Sequence, residues 1–361
     1  MLKTRISFFR EQRNPIILLL ITLALPFIIG IFEGSSPLMV WANQGSISKF
    51  IEGLGIEIFI LALYALSFDL IFGVTGLLSF GHAMFFAVGA YLTGIALKTL
   101  GLPLYAVIGL VFVAAIVQAV LFGLVLPRVK GITFALVTLG MASVFHIVVM
   151  SSDVANYTGG DVGLQGVVVP AFINPAIERL RFYFIALIIL FLAYWLYKVF
   201  VSSPTGRVCV AIRENEDRAK MLGYNTFKFK LAALMLASIT AAFAGTLHAL
   251  YQPVISPTIA DLGFTVTALL IVLIGGVGTL SGAVIGALVY RLLDFVLRRY
   301  IGASASLVTG AIYVAFVLFI PYGIMGTWQL KKWAWKEGIQ RLLRLFQVKP
   351  EEGEPKPQQS K

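Results

Sequence analysis

The sequence predicts an all-α, polytopic integral membrane protein with about ten transmembrane helices, and three observations carry that expectation. Of 361 residues, 59% are apolar on a broad definition and only 12% are charged, against about 25% in soluble proteins. Mean hydropathy is +0.92. The basic residues behind the net charge of +11 form clusters at the N-terminus (Lys3, Arg5, Arg10, Arg13), between Arg207 and Lys230, and in the C-terminal tail, with long apolar runs between them. The first two observations exclude a soluble enzyme, a wholly disordered chain and a disulfide scaffold. The third argues against nucleic acid, because charge spaced in this way marks membrane topology. One cysteine, Cys209, makes no internal disulfide, and three histidines leave no multi-His metal site.

Ten apolar runs, punctuated by polar residues, Gly or Pro, give the spans 15–32, 54–73, 77–97, 103–126, 131–150, 182–201, 228–250, 262–280, 282–300 and 304–325. Each must be helical, because hydrocarbon offers open backbone groups no partner and no run alternates with the period of two of a barrel strand. The first run, with basic flanks and Pro26, reads as a retained signal-anchor, since no small-x-small cleavage pattern follows it. The short breaks near Gly76 and Gly282 keep open an alternative of eight spans plus re-entrant segments.

The expected organisation is a cytoplasmic basic N-terminus (1–14), a transmembrane domain (15–325) and a cytoplasmic, partly disordered tail (326–361) ending EEGEPKPQQSK. Ten crossings then place the loops 127–131 and 202–227 inside. With Lys228 and Lys230 at a span mouth included, the inside holds twenty Lys and Arg residues and the outside six, a strong positive-inside bias. The outer segment 151–181 is rich in Gly and Pro and too long for a tight turn. No soluble stretch exceeds about 35 residues, so no nucleotide-hydrolysing unit is expected in this chain, and no GxxxxGK[ST] phosphate loop occurs in it.

The inner segment 202–227 is dense in both charge signs. After Ser203-Pro204-Thr205-Gly206, residues 208–222 read as a short helix. Glu214–Arg218 and Glu216–Lys220 are i,i+4 pairs in the favourable order, each worth about 0.2–0.5 kcal/mol. Ile212, Ala219 and Leu222 fall on one side, and Gly223 is a good terminator. Two readings stay open: a solvated surface helix, or a helix whose apolar stripe docks a partner.

Glycines crowd the second and third spans and the eighth and ninth. Gly282-x3-Gly286 fits the small-xxx-small pattern, read first as tight packing within the chain and second as a subunit interface. Gly76-Leu77-Leu78-Ser79-x-Gly81 echoes Gly278-Thr279-Leu280-Ser281-Gly282, and paired interruptions of this kind mark transport pathways. Ionisable groups inside apolar spans should face protein or water. Asp69, Ser79 and His82 are therefore pathway candidates, with helix capping or packing as the alternative. Asp294 and Arg291 read as a neutralising pair on one helix face, and Glu57 and Asp261 as interfacial. No nucleophile–base or metal constellation appears.

Several stretches together resemble a known family. SPTGRVCVAIRENEDRAKMLGYN, KLAALMLASITAAFAGTLHAL and VISPTIADLGFTVTALLIVLIGGVGTLSGAVIGAL, with the earlier ALYALSFDLIFGVTGLLSFGHAMFFAVGAYL and the outer Gly159-Gly160-Asp161-x-Gly163, are similar to branched-chain amino acid ABC permeases of the LivM type, in the same order, from about residue 55 to 325. Asp217-x-Ala219-x3-Gly223 resembles the loop by which importer permeases engage their ATPase.

The resemblance implies the permease subunit of an ATP-binding cassette importer in a bacterial plasma membrane, with both termini cytoplasmic. It assigns ATPase coupling to Arg213, Glu214, Asn215, Glu216, Asp217, Arg218, Ala219 and Gly223. It implies two ABC ATPase subunits, a second, LivH-like permease and a solute-binding protein as partners, besides membrane lipid. ATP would be bound by the ATPase partners. No catalytic residue, cofactor or metal is expected in this chain, and no nucleic acid. The implied substrates are branched-chain or other neutral amino acids; urea or a short amide is the alternative. An ion-coupled secondary transporter is the rival class, thinly supported by Asp69 and Asp294.

Overall fold

The computed structural model describes residue 19 and residues 22–33, 46–320 and 322–328. The basic segment 1–14 and the tail beyond 328 lie outside the described residues, as do parts of the first span. The ten apolar runs all carry helix: α1 (Thr22–Phe32), α2 (Ser46–Asp69), α3 (His82–Lys98), α4 (Leu104–Gly123), α5 (Ile132–Met150), α6 (Arg179–Ser202), α9 (Thr226–Tyr251), α10 (Leu262–Gly275), α11 (Leu280–Ile301) and α12 (Ala305–Phe319). Two short helices, α7 (Pro204–Glu214) and α8 (Glu216–Met221), lie between α6 and α9. Among the described residues six helices are long and apolar enough to cross a membrane: α2 (extended to Val74), α4, α5, α6, α9 and α11.

The breaks follow local chemistry. Pro103, whose fixed φ suits a helix start, precedes α4. Gly131, at φ +56°, turns the chain into α5. Buried hydroxyls that hydrocarbon would otherwise penalise bond back along their own helices: Thr93 Oγ1 donates to the Gly89 carbonyl at 2.7 Å, and Thr240 Oγ1 to that of Leu236 at 2.9 Å.

α2 and α9 form the centre, with 78% and 61% of their most apolar windows buried, against 22–28% for the other four long helices. α9 packs on α3 and α4, and α2 on α6, α9, α10 and α11. The α3–α9 crossing is close because it is built from glycine: a Cβ at Gly89 would strike the Ala242 carbonyl, and one at Gly245 the Phe86 carbonyl. The Gly282 motif also packs within the chain, since Gly275 and Gly282 face each other backbone to backbone between α10 and α11.

One expected span is interrupted. The run 262–280 is helical only to Gly275, after which Gly276 and Gly278 take φ of +119° and +73°. Fourteen residues of helix reach about 21 Å, short of a hydrocarbon core of about 30 Å. The preceding segment makes up part of the depth. Tyr91 Oη donates to the Ile255 carbonyl at 3.2 Å and the Ala83 amide to Thr265 Oγ1 at 3.0 Å, so the chain between them runs back along α3. There β2 (Val254–Ile255) pairs antiparallel with β1 (Leu164–Gln165) of the 151–181 segment, the one strand pair among the described residues.

Candidate functional site

Two helix interruptions meet at the end of the bundle that carries α7 and α8. α2 leaves its regular path as a π-helical turn, Leu70–Val74, with the Thr75 amide bonded to the Leu70 carbonyl at 3.2 Å; such turns concentrate at functional sites. The second interruption is Gly276–Thr279, between α10 and α11. Asp69 joins them, its Oδ1 accepting from the Gly278 amide at 2.7 Å. The approach needs Gly73, where a Cβ would collide with Asp69 Oδ1 and the Gly278 backbone. The two echoing Gly-rich sequences are therefore neighbours in space.

α7 is fastened to this junction. Arg213, in its last turn, donates from Nη1 to the Gly73 carbonyl and packs against Gly76, whose own φ is +76°. Cys209, four residues earlier on the same helix, lies by Thr75, and burial pushes its thiol up to about 11. These ties join elements 140 residues apart, and no local pattern announces them.

The single helix expected over 208–222 is two helices. Its start is earlier, because Ser203 caps the amide of Gly206 at 3.2 Å and Pro204 occupies the first turn. Its middle breaks at Asn215 (φ −162°, ψ 102°), whose Oδ1 accepts from the Arg218 amide at 2.8 Å and opens α8. The break separates Glu214 from Arg218, and no ion pair forms between them among the described residues. Glu216–Lys220 does form, at 3.1 Å. Gly223 ends α8 in the left-handed region, with the Tyr224 amide bonded to the Ala219 carbonyl. Ile212 and Ala219 are buried, but Leu222 is not: Met221 and Leu222 are 87% and 72% exposed.

Glu216 is an internal clamp. Lys230 lies 2.6 Å from its carboxylate, and Thr226 Oγ1 donates at 3.0 Å, so α8 is bound to the first turn of α9. Partial burial works to raise its pKa, but the bonds from Lys230 and Lys220 outweigh this and hold the carboxyl down at about 2. Asp217 pairs with Lys130 at 3.0 Å, bringing the loop 127–131 to the same end of the bundle.

The pathway candidates are fully buried. His82 Nε2 lies 2.8 Å from Ser67 Oγ. Its ring packs with Tyr64, Phe68 and Phe85. Tyr64, Phe86 and Phe264 pack on one another with ring centres 4.8–5.0 Å apart, forming an aromatic plug between α2, α3 and α10. Asp69 Oδ2, Ser79 Oγ and His82 Nδ1 are buried without a hydrogen-bond partner, unusual enough to mark a seam rather than a settled core.

At the opposite end, a cavity of about 560 Å³ lies between the 151–181 segment, α2 and the end of α9. Beside it runs a charge network that links Glu57 to residues far along the sequence. Arg291 pairs with Glu57 of α2 and, at 2.8 Å, with Asp294; Arg298 holds the other Asp294 oxygen at 2.7 Å. Asp294 and Arg291 are thus a pair, as their spacing suggests, and Glu57 is tied across the bundle.

Apolar helices interrupted at paired glycine turns, a buried polar seam and a charged helix pair at one end define a multi-pass membrane transport permease. A family model described as "Branched-chain amino acid transport system / permease component" matches residues 50–321. The chain belongs to that family. It is 26% identical over 290 residues to the high-affinity branched-chain amino acid transport permease LivM of Escherichia coli (strain K12), covering 74% of this chain and 68% of that protein. It is 28% identical over 272 residues to the probable LivM of Methanocaldococcus jannaschii, 66% and 78% covered. To the E. coli (strain K12) LivH permease it is 25% identical over 291 residues, 75% and 92% covered. No solved structure matches the chain.

Proposed function

We propose that this chain is the membrane-spanning subunit of an ATP-driven importer of branched-chain or other small neutral amino acids, delivered by a solute-binding protein. All ten apolar helices cross or enter the bilayer of a bacterial plasma membrane, with α7, α8 and both termini in the cytoplasm. The charge count supports that orientation, as does the gathering of the loops 127–131 and 202–227 at one end of the bundle. Two ATPase subunits and a second, LivH-like permease complete the assembly, and ATP is hydrolysed by the partners.

The observation that carries the reading is the tie of α7 to both helix interruptions, Arg213 to Gly73 and Asp69 to Gly278. An ATPase gripping α8 through Arg218, Met221 and the following Leu222, and Glu214 at the end of α7, moves α7. Arg213 then shifts the π-turn of α2 together with the glycine turn after α10. Opening this junction exposes the seam of Asp69, Ser79 and His82, and the aromatic plug above it parts in the same movement.

Proteoliposomes containing the full complex and leucine-loaded binding protein test this. ATP-dependent leucine accumulation is expected, and Arg213→Ala should lower it at least about tenfold while the ATPases still assemble and hydrolyse ATP. Accumulation driven by a sodium or proton gradient without ATP would refute the importer reading.

A further inference from the structure

The cavity at the outer end takes no part in the coupling just described, yet charged groups of opposite sign line it. Its volume of about 560 Å³ falls in the usual range for small-molecule sites, roughly 300–1,000 Å³. Arg179 and Glu57 both line it. Arg179 Nη1 donates to the Lys49 carbonyl at 3.2 Å; among the described residues no carboxylate reaches ion-pair distance of its guanidinium, and the buried Glu52 attracts it only from farther away. A guanidinium has five donors in a planar fork, so most of this one's hydrogen-bonding capacity is left for an anion. Glu57 is asymmetric. Arg291 holds its Oε2, whereas Oε1 has only a 3.4 Å contact from Gln252.

The two groups are close enough for one small molecule. Gly53 and Glu57 are one turn apart on α2, which places their Cβ positions about 5–6 Å apart. Arg179 Nη1 lies 3.8 Å from the Cβ position of Gly53. Val167, Val169 and Leu250 supply apolar wall.

We infer that this cavity is an entry site for a free α-amino acid, with Arg179 binding the α-carboxylate, Glu57 Oε1 the α-ammonium, and the aliphatic side chain lying on Val167, Val169 and Leu250. The inference rests on the importer reading and gives it a first station on this chain, between the binding protein and the aromatic plug. A zwitterion brings one charge of each sign to a cavity lined by one of each. An analogue lacking the carboxylate leaves the open donors of Arg179 unused, and one lacking the ammonium leaves Glu57 Oε1 with only its 3.4 Å contact from Gln252, which is a basis for selection.

The test uses the full chain in lipid nanodiscs without binding protein, and three probes: L-leucine, leucinamide (no carboxylate) and 4-methylpentanoate (no ammonium). Saturable leucine binding is expected, with both analogues weaker by at least about tenfold. Arg179→Gln should weaken leucine by a similar factor and leave leucinamide unchanged; Glu57→Gln should weaken leucine and leave 4-methylpentanoate unchanged. Unchanged analogue binding shows that the variant is folded. Val169→Trp, which fills the cavity with both charges in place, should exclude all three. Absence of saturable leucine binding to the wild-type chain, or leucine affinity indifferent to Arg179→Gln, overturns the site. If Glu57→Gln does not fold, the Arg179→Gln and Val169→Trp results decide. ATP-driven uptake by the wild-type complex is scored separately, so the site can fall while the importer reading stands.

Discussion

Asp69 Oδ1 accepts a 2.7 Å hydrogen bond from the Gly278 amide, 209 residues further along the chain. This contact closes the junction between the π-turn of α2 and the glycine turn after α10. Removing the acceptor leaves a part-buried N–H without a partner, at a cost of about 1 kcal/mol, the low end of the range for a fully buried group. Asp69→Ala is expected to lower the thermal midpoint of the detergent-purified chain, while Asp69→Asn, which keeps an acceptor oxygen, stays much closer to wild type. Equal midpoints for Ala and wild type would mean that the contact does not hold the junction.

Accessibility on the α7–α8 segment should be uneven. Cys209 is fully buried and its Sγ lies 3.7 Å from the Phe229 carbonyl, whereas Met221 is 87% exposed. With its thiol also pushed up to about 11, Cys209 presents almost no thiolate at neutral pH. Native Cys209 is therefore expected to resist maleimide from either side of the membrane, so its silence carries no topological information. Met221→Cys in a Cys209→Ser background should label rapidly in inverted vesicles and not in whole cells with an impermeant reagent. Labelling in whole cells would reverse the proposed orientation.

The Glu216 clamp gives a signed pH dependence. Its carboxyl sits at about 2 in the fold against an ordinary 4.5, so the folded state favours the ionised form. The clamp's contribution is complete above about 4.5 and fades as pH falls towards 2. A spin label at Met221→Cys should stay restrained from neutral pH down to about 4.5 and loosen below it. The same label with Glu216→Gln is expected to be mobile throughout and flat with pH. A wild-type label that loosens between pH 7 and 5 would place the restraint elsewhere.

The parts of this fold that sequence reveals are those that hydrocarbon selects. All ten apolar runs carry helix, because hydrocarbon admits little else, and six of those helices are long and apolar enough to cross a membrane; the mixed charge of 202–227 marked the segment that forms α7 and α8. The break at Asn215 was also readable, since Asn followed by Glu216 and Asp217 is a helix-start signal. The i,i+4 spacing of Glu214 and Arg218 competes with it and suggests one continuous helix. Pairings such as Glu57 with Arg291, 234 residues apart, depend on which helices become neighbours, and a single sequence does not encode that locally. Ser79 and His82 stood out as polar groups in apolar runs; their unpartnered atoms became visible only with the packing.

Gly73 and Gly109 offer a controlled comparison, because both are helical glycines in the membrane-spanning part and only one is crowded. A Cβ at Gly109 meets nothing within 4 Å, while at Gly73 it collides with Asp69 Oδ1 and the Gly278 backbone. Gly109→Ala removes a helix-unfavourable residue and is expected to be neutral or to stabilise by up to about 1 kcal/mol. Gly73→Ala must push the two interruptions apart, an overpacking cost of about 1–3 kcal/mol. It also breaks the Asp69–Gly278 contact and shifts the carbonyl that Arg213 holds. Thermal midpoints of the two variants should therefore diverge, and uptake by the reconstituted complex should fall sharply for Gly73→Ala alone. If Gly73→Ala lost stability but kept full uptake, the junction would be a packing feature and the route from α7 into the membrane would have to run through another contact.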